Sequence, residues 1–148
     1  MIVHVLVAVD GSSRAPRVFD TAAEITTRFN AQLHPLRVIS VPPEFPAAAA
    51  GSEADRLPAL LSRSATVDLE QLAARAPHVA VGESIVRVGE PWRVILAVGD
   101  QLDVDLIVLG SHGYGGIDRI LGTTAARVAN LARRNVLVVH ERANGGGR

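Results

Sequence analysis

The chain contains no lysine and no cysteine; all 15 of its basic residues are arginine. The missing lysine excludes a Schiff-base lysine and the lysine of a P-loop. The missing cysteine excludes a disulfide framework, a thiol nucleophile and a metal site built on thiolates. Net charge is lacking too, because 15 acidic residues balance the 15 arginines. Charge therefore gives no argument for nucleic acid or an anionic membrane as a partner. The opening MIVHVLVAVDGS has no basic n-region and reaches Asp10 after a short apolar run. It reads as a strand, not as a signal peptide or a membrane span, so a cytoplasmic location is expected.

What remains is ordinary globular composition, 48% apolar and 20% charged over 148 residues. That is the length of one domain with a sizeable core, taken as residues 1–140. IVHVLVAVD is a continuous aliphatic run, the mark of a strand covered on both faces. GSS then supplies turn and cap residues, and Pro16 suits a first helical turn. Val18, Ala22, Ile25 and Phe29 fall on one helical face. QLHPLRVIS is a second strand, with Pro35 near its start or at a bulge because it has no N–H to donate. Val41–Ala54, rich in proline and alanine, is expected to be an irregular mobile loop.

Leu57, Leu61, Ala65, Leu69, Leu72 and Ala76 mark a long second helix. VGESIVRVGE is a third strand. Pro91 opens a third helix that turns Trp92, Ile95, Leu96 and Gly99 to the sheet. DLIVLG is a fourth, buried strand. A last helix from about Thr123 to Arg133 points Val128 and Leu131 inward, and Arg127, Arg133 and Arg134 are read as a solvated face. NVLVVH is a fifth strand, and the polar tail of residues 141–148 has no reason to be ordered. Alternating strands and helices predict an α/β fold, an open five-stranded parallel sheet with helices on both faces. Ligands of such sheets sit beyond the carboxyl ends of the strands, where the strand order switches. VAVDGS and VLGSHGYGG both lie at such ends and meet there if the first and fourth strands are neighbours.

Between Asp105 and Thr124 stand five glycines, Gly110, Gly113, Gly115, Gly116 and Gly122. A glycine loop between a strand and a helix presents unpaired N–H groups, and the helix N-terminus adds partial positive charge; both suit phosphate. Arg119 and His112 add positive charge nearby, and Thr123 and Thr124 add hydroxyls. The same residues also fit a surface loop capped by Thr123. The dinucleotide fingerprint is excluded, because the first strand–helix turn is DGSS. Asp10, Ser12 and His112 make a poor triad, since nothing fixes their order or supplies a buried orienting carboxylate. His4, His34, His78 and His140 show no ligand spacing, so no protein-built metal site is expected.

VLVAVDGSSRA, the GEP before the third helix, and DLIVLGSHGYGGIDRILGTTAARVANLARRNVLVV together resemble the universal stress protein family over nearly the whole chain. The resemblance implies a Rossmann-like fold of the adenine nucleotide alpha hydrolase type. In one branch it also implies an ATP site carrying Gly-x2-Gly-x9-Gly-Ser/Thr. Gly110, Gly113 and Gly122-Thr123 match that motif, with Tyr114–Leu121 one residue short of its longer gap. The implied contacts are Asp10 and Ala8 on the adenosine side, Val38 at adenine, and Leu109 and Gly110 beside the ribose. His112, Gly113, Gly122, Thr123, Thr124 and Ala125 would surround the phosphates, with Mg or Mn bridging them. The resemblance further implies a homodimer whose last strands pair antiparallel, burying Val136 and Val138. No catalytic residue is assigned, and at most slow ATP hydrolysis is expected. The alternatives are a slow nucleotide hydrolase and a dimeric interaction protein with an empty pocket.

Overall fold

A computed structural model of the chain describes residues 1–40, 56–111 and 124–141, with side chains from residue 59 in the second of these segments. The expected loop Val41–Ala54 and the tail beyond residue 141 lie outside the described residues. In chain order the elements are β1 (His4–Val9), α1 (Ala15–Phe29), β2 (Gln32–Ile39), α2 (Arg56–Ala74), β3 (Ala80–Val81), β4 (Ile85–Val88), α3 (Pro91–Gln101), β5 (Leu106–Gly110), α4 (Thr124–Leu131) and β6 (Asn135–Val139).

The sheet is parallel, in the order β3-β2-β1-β5-β6, with β4 also pairing with β2. Strand β1 lies between β2 and β5, with Ala8 opposite Leu36 on one side and Leu109 on the other. Successive side chains of a strand point to opposite faces. Val5, Val7 and Val9 accordingly pack with Val18, Phe19 and Ala22 of α1 and Leu69 and Leu72 of α2. Leu6 and Ala8 pack with Ile95 and Val98 of α3 and Ala125 and Val128 of α4. Val5, Leu6, Val7, Phe19, Leu69 and Ile95 have no exposed surface. Burial of each of the larger side chains contributes roughly 1.5–3 kcal/mol.

The expected third strand is two short ones. Leu33 pairs with Val81 and Leu36 with Ile85, so His34 and Pro35 stand opposite Gly82, Glu83 and Ser84. The ladder thus breaks beside the one residue of β2 that has no N–H to offer. The expected bulge exists, but the extra residue belongs to the edge strand. A Cβ on Gly82 would come within 3.2 Å of His34 Nδ1, which makes the break a tight passage for the chain.

Helix α1 starts with Pro16 in its first turn and stops at Asn30, whose φ of 52° closes the helix in a left-handed cap. Because the helix ends there, Phe29 is 54% exposed, not inward; Phe19 and Thr26 take the buried positions instead. Leu61 and Leu131 are likewise exposed. Helix α4 ends at Leu131, earlier than expected. Arg134 is no solvated helix residue. It follows α4 and pairs with Asp103 at 2.9 Å and Asp100 at 3.2 Å, and donates to the carbonyl of Val104 at 2.8 Å. Its guanidinium fastens the turn before β6 to the turn before β5.

Candidate functional site

The strand order reverses between β1 and β5. From β1 the chain passes to β2 on one side, and it later returns to β5 on the other. The connections leaving β1 and β5 therefore run to opposite faces and open a crevice at the carboxyl ends. There the structure has a narrow cleft, partly open to solvent, lined among others by Ala8, Asp10, Arg14, Arg17, Leu109, Gly110, Ser111, Thr124, His140 and Glu141.

The turn after β1 is built by Asp10. One oxygen of its carboxylate accepts both the backbone N–H and the hydroxyl of Ser12. The Ser12 hydroxyl oxygen in turn accepts the N–H of Arg14 at 3.2 Å, and the Ser12 carbonyl accepts the N–H of Ala15 at 3.2 Å. The side chain of Asp10 thus sets the backbone that launches α1 and presents Arg14. A Cβ at Gly11 would lie 2.5 Å from Nη2 of Arg37, so a larger residue in this turn would displace that guanidinium. Arg37 crosses the glycine and pairs with Asp68 of α2 at 3.3 Å.

On the other wall, Ser111 follows β5 and donates its N–H to the carbonyl of Val139 at 2.9 Å. This bond carries the β5–β6 pairing one residue past Gly110 and brings His140 and Glu141 to the cleft. Two polar atoms here are buried without a hydrogen-bond partner, Nε of Arg14 and Oγ of Ser111. Buried polar atoms are nearly always satisfied, and leaving one bare costs about 1–3 kcal/mol. Among the described residues the carboxylate paired with Arg14 is Glu141, at 3.8 Å from Nε, too far for a hydrogen bond.

Five expected site residues, Ala8, Asp10, Leu109, Gly110 and Thr124, line this one cleft. Ala125 is buried just behind it in the α3–α4 core, and Val38 is buried in the same core on β2 without lining the cleft. His112, Gly113, Gly122 and Thr123 lie outside the described residues. The sequence reading missed Arg14, Arg17, Ser111, His140 and Glu141. The spacing Arg14-x-x-Arg17 at the start of the first helix was the available signal, two cations one helical turn apart beside a strand end.

Chemically the cleft offers hydrogen-bond donors on two walls, the guanidinium groups of Arg14 and Arg17 on one of them, and a carboxylate with one oxygen committed to the turn. It suits a ligand that carries both hydroxyls and negative charge. Among the described residues no group of three or more His, Asp or Glu side chains is arranged to hold a metal ion. No helix among them is long and apolar enough to cross a membrane.

Comparison with known proteins agrees with this architecture. The hypothetical protein MJ0577 has the same fold, with a TM-score of 0.82 at 24% identity over 97% of this chain and 99% of the other. A universal stress protein in complex with cAMP superposes with a TM-score of 0.63 at 27% identity, over 94% of this chain and 97% of that one. Universal stress protein A homolog 1 of Coxiella burnetii is 31% identical over 147 residues, 92% of this chain and 94% of that protein. The model of the universal stress protein family matches residues 1–140. With fold and sequence in agreement over almost its full length, the chain belongs to the universal stress protein family.

Proposed function

We propose that the cleft binds an adenine nucleotide, ATP in the first instance, and that the protein is a cytoplasmic, nucleotide-dependent stress-response regulator. The observation that carries this reading is the pair of unsatisfied polar atoms, Arg14 Nε and Ser111 Oγ, in a cleft at the strand switch. The cAMP complex of a relative supports the adenine-nucleotide class. In this reading the second carboxylate oxygen of Asp10 accepts from ribose hydroxyls, and Ala8 and Val38 serve the adenine side. Leu109 and Gly110 flank the ribose, and His112, Gly113, Gly122, Thr123, Thr124 and Ala125 serve the phosphates. The carboxylates of the cleft, Asp10 and Glu141, do not form a cage. A divalent ion would accordingly rest mainly on phosphate oxygens and water.

The test is to denature freshly purified protein, identify any released nucleotide by mass spectrometry, and then titrate the emptied protein. Added ATP should raise the melting temperature, by the equivalent of about 2.7 kcal/mol at a hundred times Kd. No shift with ATP, ADP, AMP or cAMP would overturn the reading.

The homodimer belongs to the same proposal. Strand β6 ends the sheet, and its Val136 and Val138 are only partly buried against the α3–α4 core. An exposed apolar edge invites pairing with a second copy. Val138→Asp should convert the dimer to monomer in light scattering, with circular dichroism showing that the fold persists. A folded variant that stays dimeric would remove this interface.

A further inference from the structure

We propose that Arg14 is the cation that reads the phosphate chain of the ligand, and that Glu141 is a built-in competitor for it. This rests on the nucleotide reading above and adds to it a residue that sets preference by phosphate number. The turn of Asp10 and Ser12 fixes the backbone of Arg14, so the guanidinium starts from a held position rather than a free loop. Its Nε is buried and makes no hydrogen bond. Arginine has no acceptor of its own and needs a carboxylate, phosphate or carbonyl oxygen to satisfy that donor. Glu141 offers a carboxylate at 3.8 Å, near enough to attract and too far to bond. Both side chains keep contact with solvent, at 33% and 50% exposure, so the pair is weakly held and exchangeable. Phosphate oxygens reaching the same donor would form charge-assisted, bidentate bonds and release the glutamate. Ser111 Oγ, the other unsatisfied atom, lies on the facing loop and would serve the same group of oxygens. Asp10 and Glu141 repel added negative charge in this cleft.

The experiment measures Kd by calorimetry for ATP, adenosine and inorganic tripolyphosphate on the full chain. The variants are Arg14→Gln, Glu141→Gln and the double variant, each checked for its fold by circular dichroism. Arg14→Gln should weaken ATP and tripolyphosphate by about tenfold and leave adenosine unchanged. Glu141→Gln should strengthen both phosphate ligands by about threefold, and that gain should vanish in the double variant. Equal losses for ATP and adenosine, or a Glu141→Gln gain that persists without Arg14, would overturn the inference. Wild-type protein that binds tripolyphosphate but neither nucleoside ligand would sink the nucleotide reading and leave the Arg14 assignment standing. Binding of ATP and adenosine with equal affinity, and none of tripolyphosphate, would do the reverse. Binding of none of the three would end both.

Discussion

The two ends of the sheet differ in how completely their polar groups are satisfied. At the amino end, the Asp105 carboxylate accepts the N–H groups of Val3 and His4 at 2.8 and 2.9 Å. These backbone hydrogen bonds, from His4 first and then Val3, hold its pKa below the usual carboxylate value. His4 and His34 share a ring-to-ring hydrogen bond at 3.1 Å, and Arg134 has three partners. At the carboxyl end, Arg14 Nε and Ser111 Oγ are buried without partners. One end has spent its hydrogen bonds on holding the strands together. The other leaves donors unsatisfied, at a cost in stability.

That contrast can be broken most severely at Asp105. Asp105→Ala removes the clamp between β5 and the start of β1. It should cost about 1–2 kcal/mol in urea unfolding, after allowance for solvent at this partly exposed carboxylate. Nucleotide affinity should not change, and an affinity loss equal to the stability loss would show that the two ends are not separate. Ser111→Ala should act in the opposite sense. It deletes an unsatisfied hydroxyl and should leave the free protein unchanged or about 0.5–1 kcal/mol more stable, while weakening ATP binding. Destabilisation without ligand would mean that this hydroxyl already has a structural task.

The smallest effect concerns pH. Burial first, and then the neighbouring His4, lower the pKa of His34 below its ordinary 6.5. The unfolded chain therefore binds a proton more readily than the folded one. Stability is full above about 6.5 and declines as pH falls from there toward the folded value. The charged group facing the pair is Asp105, which interacts with His4. His34→Gln should flatten this part of the curve, and an unchanged pH profile would show that the histidine pair carries no pH dependence.

Much of the frame was legible because it follows from period and punctuation. The aliphatic runs of β1 and β5 could only be strands covered on both faces, and DGSS and Pro91 mark helix starts. The alternation of strand and helix predicts a parallel sheet but leaves its order open; that β1 and β5 are neighbours comes from the structure. The split of β3 from β4 was not legible, because Gly82, Glu83 and Ser84 interrupt VGESIVRV no more than a solvent-facing stretch would. Phe29 and Leu131 were misplaced for one reason: each is the last residue of its helix, and a stripe extended by arithmetic takes no account of where the helix stops. The candidate site was half legible. Asp10 and Gly110 announce themselves at strand ends. Arg14, Ser111 and Glu141 acquire meaning only when the fold brings three distant segments together. Arg134 was taken for a surface residue because its partners lie some thirty positions away.

The alternation of β1 also bears on how chains of this kind can vary in length. Val5, Val7 and Val9 serve one core, and Leu6 and Ala8 serve the other. Inserting or deleting a single residue inside this strand would exchange the two sets and spoil both layers at once. Substitutions of similar size can accumulate there, whereas changes in length are confined to the connections between elements. The spacing between Gly113 and Gly122, one residue short of the family pattern, falls outside this strand and leaves its two sets unexchanged.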